Sequence, residues 1–228
     1  MTWVKICATT SLADARLAVA AGADAVGFVF APSTREIMQE PAAEIIAALP
    51  ANIEKIGVTV NESPENLSRL AQNAGLTGIQ LHGDEPGDQL WAYRSALGSR
   101  RIIKTLQTRQ LLADGDEYLA QYRRAAEFFD AVLLDAGVPG QRGGTGATFD
   151  WNAVLPLAAR IQQWMPVIIA GGLTAENVAE AIRLFAPWGV DVASGVECEP
   201  GRKDEARLAS FVAAVRGVGV AAVEGAQL

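Results

Sequence analysis

The sequence predicts an α/β protein, a single (β/α)8 TIM barrel with a closed, parallel, eight-stranded sheet, and three observations carry that prediction. The chain has 228 residues, which suits one large α/β domain able to bury roughly 70 to 75% of its unfolded surface. Eight short apolar or β-branched runs recur along it at intervals of about 20 to 30 residues. The segments between them carry helical spacing. Alternating strand and helix forces a parallel sheet with right-handed crossovers, and eight strands in a chain of this size favour closure over an open sheet.

The strand candidates are residues 4–8, 25–30, 56–61, 78–82, 101–106, 131–135, 167–170 and 189–193. Between the first two, Leu12, Ala15, Ala18, Val19 and Gly22 recur with a period close to 3.6, as do Val178, Ala181, Ile182 and Phe185 between the last two. Helix starts are expected at Ser63 with Pro64 in the first position, and at Thr174 ahead of Glu176 and Asn177. Gly22, Gly75 and Gly98 are expected as left-handed helix ends. The barrel is assigned to residues 1–216 and a loosely held tail to 217–228. No G-x-G-x-x-G follows the first strand, where Cys7, Ala8, Thr9 and Thr10 stand instead, and no Walker sequence occurs.

Composition narrows the function. Lys and Arg number 19 against 26 Asp and Glu, for a net charge of −7, so nucleic acid is not an expected partner. No apolar run is long enough for a membrane span. Two cysteines and no leader-like segment make the cytoplasm the expected compartment. A lone histidine, His82, without a C-x-x-C pair leaves no metal expected.

In such barrels the site lies at the carboxyl ends of the strands, with phosphate at the loops after the seventh and eighth. Those ends read Ala170-Gly171-Gly172-Leu173 and Ala193-Ser194-Gly195-Val196. An acidic protein can bind a phosphate there through backbone N–H groups, the Ser194 hydroxyl and a short helix after the eighth strand. The period of two points Lys5 and Cys7 into the barrel, and likewise Gln80 and His82, while Asp135 ends a buried apolar strand and Asp191 begins the last inward row. Cys7 facing Asp135 supplies two groups of different acidity for proton transfer at carbon, with Lys5 below as a thiolate partner. Arg35, in the loop after the second strand, suits bidentate carboxylate recognition. The glycine-rich loop over residues 137–148, which contains Gly144, is long enough to close over a ligand.

These residues together resemble a family. Lys5-Ile6-Cys7, the run from Gly22 to Phe30, Gln80-Leu81-His82-Gly83, Leu134-Asp135, Gly143-Gly144-Thr145-Gly146, Ala170-Gly171-Gly172-Leu173 and the run from Gly189 to Glu197 are similar to phosphoribosylanthranilate isomerase of tryptophan biosynthesis. The likeness holds in order from about residue 4 to 215. It implies a cofactor-independent Amadori rearrangement of a phosphosugar-anthranilate substrate by a monomer or homodimer. It further implies Cys7 as general base, Asp135 as general acid, Arg35 on the anthranilate carboxylate, and Gly171, Gly172, Ser194 and Gly195 on the phosphate. His82, Gly144 and Asp191 complete the expected substrate contacts. The family has glycine after the cysteine, where this chain has Ala8. Without the resemblance, a related phosphosugar enzyme, a flavin-binding barrel or a barrel that binds without turnover would fit the same loops.

Overall fold

The computed structural model describes residues 1–135 and 150–224, with side chains as far as residue 218. Eight strands follow one another in chain order: β1 Trp3–Ile6, β2 Ala25–Val29, β3 Glu54–Thr59, β4 Gly78–Leu81, β5 Arg101–Gln107, β6 Ala131–Asp135, β7 Val167–Ile169 and β8 Gly189–Val192. Each pairs in parallel with the next, and β8 returns to β1 with Lys5 beside Asp191, so the barrel closes. The helices are α1 Leu12–Ala21, α2 Gln39–Ala47, α3 Pro64–Ala74, α4 Leu90–Leu97, α5 Thr108–Arg124, α6 Trp151–Gln162, α7 Val178–Phe185 and α8 Glu205–Glu224. A small antiparallel pair, β9 Glu197–Glu199 and β10 Arg202–Lys203, follows β8 and was not predicted.

The period of two separates two cores. Val4, Ile6, Val26, Phe28, Ile79, Leu81, Val132 and Leu134 point outward into a large cluster under the helices. Trp3, Ala25, Ile56, Ile103, Leu133 and Ile168 point inward and fill the barrel. Val178, Ala181, Ile182 and Phe185 are all buried on α7, which is the stripe their spacing predicts.

Of the five helix ends predicted from local signals, three form as expected and two do not. Ser63 caps α3 by accepting from the Asn66 N–H at 3.2 Å, with Pro64 in the first position. Gly22 and Gly75 end α1 and α3 in the left-handed conformation, at φ 95° and 75°. Gly98 departs from that expectation: its φ of 61° is paired with a ψ of −126°, outside the left-handed basin. The predicted start at Thr174 is also displaced, because α7 begins at Val178. Residues 174–177 form a separate turn closed by Asn177, whose Oδ1 accepts from the Thr174 N–H at 2.8 Å while its Nδ2 donates to Gly172 O at 2.9 Å. The boundary expected near residue 216 falls inside α8, and most of the assigned tail lies outside the described side chains.

Candidate active site

Moving two residues along an inward row carries the barrel from apolar filling to polar chemistry. Trp3 is followed by Lys5 and Cys7, Gly78 by Gln80 and His82, Ile103 by Thr105, Leu133 by Asp135, and Gly189 by Asp191. All of these polar side chains are buried or nearly so, and Cys7, Gln80, His82, Asp135 and Asp191 line one cleft of about 670 Å³ at the carboxyl ends of the strands. The mouth therefore contains Cys7 and Asp135 together, as the sequence predicts.

Buried hydrogen bonds hold these groups. Lys5 is 0% exposed; its Nζ donates to Asp191 Oδ1 and to Gln80 Oε1, each at 2.7 Å. The Gln80 amide nitrogen lies 2.9 Å from His82 Nδ1 and 3.1 Å from Thr105 Oγ1. His82 Nε2 in turn approaches Asp135 Oδ2 at 3.3 Å. Burial opposes the Lys5 charge, but Asp191, with Cys7 beside it, outweighs that penalty and holds the lysine pKa above its ordinary value. Burial also pushes the Cys7 thiol up, and the nearby Lys5 and Lys203 ammonium groups offset this only in part. The raised value favours the protonated thiol over a standing thiolate at neutral pH.

Arg35 reaches the same cleft with one edge already engaged. Its Nε lies 3.0 Å from both Glu197 carboxylate oxygens and its Nη2 donates to Oε2 at 2.7 Å. Lys203 Nζ donates to the same carboxylate at 3.0 Å and to the Cys7 carbonyl at 2.6 Å. Burial would raise the Glu197 pKa, yet Arg35 and Lys203 hold it below the usual carboxylate range. Glu197 thus fixes the guanidinium through Nε and Nη2, and Nη1 makes no hydrogen bond among the described residues.

The other side of the cleft is built from backbone. Gly171 and Gly172 take φ values of 88° and 65°, a succession that side chains other than glycine rarely adopt. Gly195 packs against the neighbouring turn so closely that a Cβ there would lie 1.9 Å from the Leu173 carbonyl oxygen. The short helix expected after the eighth strand is only a single 3₁₀ turn, Ser194–Val196. Both turns line the cleft that holds Cys7 and Asp135. Their free N–H groups, in a protein of net charge −7, form the kind of concavity that receives an anion without a lysine cluster. Gly144 and the rest of the proposed closing loop lie outside the described residues.

The N-(5'-phosphoribosyl)anthranilate isomerase family model matches residues 4–214. The chain belongs to this family. A relative from Geobacter sulfurreducens with that name is 44% identical over 218 residues, covering 95% of this chain and all of the relative. One from Moorella thermoacetica is 46% identical over 216 residues, covering 95% of this chain and 90% of the relative. The crystal structure of phosphoribosyl anthranilate isomerase from Thermotoga maritima superposes with a TM-score of 0.80 at 38% identity, covering 95% of this chain and all of that one. Another structure of this enzyme, in complex with reduced 1-(o-carboxyphenylamino)-1-deoxyribulose 5-phosphate, gives a TM-score of 0.76 at 37% identity, again covering 95% of this chain and all of that one.

Within this isomerase family member, four residues enter the site that the sequence reading did not single out: Gly27, Thr105, Glu197 and Lys203. Gly27 had a visible signal, a lone glycine inside a strand, which marks close approach. A Cβ there would lie 2.9 Å from both Cys7 Sγ and Lys5 Cε, so the glycine makes room for these two side chains. Thr105 was legible only as an inward position. Glu197 and Lys203 had no local signal, since their partner Arg35 lies 162 residues from Glu197 in the chain. The departure at Ala8 has a conformational consequence: it takes φ 61°, the left-handed region natural to glycine, while buried beside Cys7.

Proposed function

We propose that Cys7 and Asp135 are the general base and general acid of the family's Amadori rearrangement, converting N-(5-phosphoribosyl)anthranilate to 1-(2-carboxyphenylamino)-1-deoxyribulose 5-phosphate. The observation that carries this is one cleft holding an ionisable thiol, a carboxyl group and two glycine turns suited to a phosphate. Asp135 gives a proton to the ribose ring oxygen as the C1–O bond breaks, and the nitrogen lone pair forms the Schiff base. The electron-poor C1=N bond acidifies the hydrogen at C2, and the thiolate form of Cys7, a minor fraction at neutral pH, takes that proton to leave an enolamine. Tautomerisation moves a proton to C1 and leaves the ketone at C2, so substrate and product have the same composition.

Arg35 reads the anthranilate carboxylate with its unengaged edge, and Gly171, Gly172, Ser194 and Gly195 take the phosphate. Asp191 lines the cleft as an expected substrate contact, with its Oδ1 bonded to Lys5 and its other oxygen available to the ligand. The test is a fluorescence assay of phosphoribosylanthranilate loss by Cys7→Ser and Asp135→Asn. Each is expected to lose at least ~10²-fold in kcat, the scale of a removed acid or base. A folded variant that kept a third of the activity, with chemistry limiting the rate, would remove that residue from its role.

A further inference from the structure

The polar chain beneath the cleft fixes more than positions. Lys5 Nζ is an ammonium with hydrogens to donate and no lone pair, so the Gln80 atom at 2.7 Å from it must be the amide oxygen. The Gln80 amide nitrogen then faces the imidazole, 2.9 Å from His82 Nδ1. An N–H donor at that distance requires a lone pair on Nδ1. The ring proton of neutral His82 is consequently on Nε2, the nitrogen 3.3 Å from Asp135 Oδ2. Thr105 Oγ1 accepts from Gln80 at 3.1 Å and lies 3.1 Å from Nδ1, which encloses that side of the ring with polar partners. A charge on β1 thus selects a tautomer on the β4 row through the orientation of one amide.

We propose that Lys5 and Gln80 are positioning residues for the isomerisation, which lock His82 as its Nε2–H tautomer and so turn an N–H rather than a lone pair towards Asp135 Oδ2, leaving the acidic proton of Asp135 on Oδ1 for the substrate. This rests on the reading of Asp135 as general acid. The opposite tautomer would turn an imidazole lone pair towards the carboxyl group, and that basic nitrogen would take the proton meant for the ring oxygen. A neutral N–H donor orients the acid without putting a full positive charge against it.

The chain has one histidine, so a long-range ¹H–¹⁵N correlation spectrum reports a single imidazole. In the unmodified protein at neutral pH the spectrum is expected to show Nε2 protonated and Nδ1 bare. A protonated Nδ1 there would overturn the proposal without any variant being made. Gln80→Glu keeps a partner for Lys5 but presents only acceptors to the ring, so Nδ1 is expected to gain a proton. With it, kcat should fall at least ~10-fold while KM changes less than about threefold, as expected for a group acting in the proton-transfer step. A Gln80→Glu protein that moved the ring proton without loss of kcat, or lost neither, would also overturn it. Asp135→Asn separates the two readings: full activity in that variant removes the acid assignment, whereas the spectrum of the unmodified protein judges the tautomer on its own.

Discussion

The two sides of the cleft are held by different means. On the side proposed for proton transfer, Lys5, Gln80, His82, Asp135 and Asp191 are held by side-chain contacts with one another inside the barrel. On the side of the β7 and β8 loops, Gly171, Gly172 and Gly195 are fixed by backbone conformation and by a carbonyl pressed against a missing side chain. The difference follows from what each side must do. A proton donor or acceptor has to be a titratable side chain, and its ionisation depends on neighbours held at close range. A phosphate brings its own charge and needs only oriented N–H groups, which a glycine turn supplies without adding cations to an acidic protein.

Lys5→Met probes the side-chain half most severely. It leaves the Asp191 carboxylate buried without its ammonium, and loss of one partner of such a pair costs about 3 to 5 kcal/mol. Urea unfolding should show that loss, whereas Gly172→Ala in the backbone half should cost only about 1 to 2 kcal/mol, the penalty of a left-handed residue with a Cβ. Equal losses would mean that the buried pair does not organise the barrel.

Arg35 joins the two modes, since a side chain on one loop is held by Glu197 on another. Arg35→Lys removes the planar fork that engages Glu197 and is proposed to read the substrate carboxylate, and kcat/KM should fall by roughly 1.5 to 3 kcal/mol. A phosphosugar inhibitor lacking the carboxylate should bind the variant as well as it binds the unmodified enzyme. If that inhibitor weakened equally, Arg35 would be serving the phosphate side.

The contest between burial and Lys5 at Cys7 can be read directly. Burial prevails and the thiol pKa is raised, so the thiolate fraction grows tenfold per pH unit until pH passes that raised value. In a Cys198→Ser background, iodoacetamide should alkylate Cys7 at a rate rising through pH 9, with its midpoint above that of free cysteine. A midpoint near pH 7 would show that Lys5 and Lys203 dominate.

The smallest effect is expected at Ala8. Its φ of 61° costs an alanine about 1 to 2 kcal/mol, part of which a glycine would give back through greater freedom when unfolded. Ala8→Gly should therefore raise stability by about 0.5 to 1 kcal/mol in thermal unfolding. A loss of stability would show that the methyl group packs usefully beside Cys7.

Eight strands and the inward direction of Cys7, Gln80, His82 and Asp135 were legible because period-two alternation and strand spacing are local properties of the chain. The start of α7 was misread because Thr174 and Asn177 both have capping chemistry, and the turn that uses Asn177 is closed onto Gly172. The Arg35–Glu197–Lys203 cluster carried no signal. Its members meet only after β9 and β10 fold back over the mouth.

The sequence by itself determined the alternation of strand and helix, the closed barrel that eight such units form, the apolar filling, and the rows from which the polar groups emerge. Each follows from spacing along the chain and from the need to bury one face of every element. Only the tertiary structure decided which polar group meets which. Lys5 reaches Asp191 across 186 residues and Gln80 across 75, and those meetings depend on the stagger of the closed sheet. Whether Cys7 is a thiol, which nitrogen of His82 holds a proton and which edge of Arg35 is occupied are set by neighbours a few ångströms away, and spacing along a chain contains no such distances.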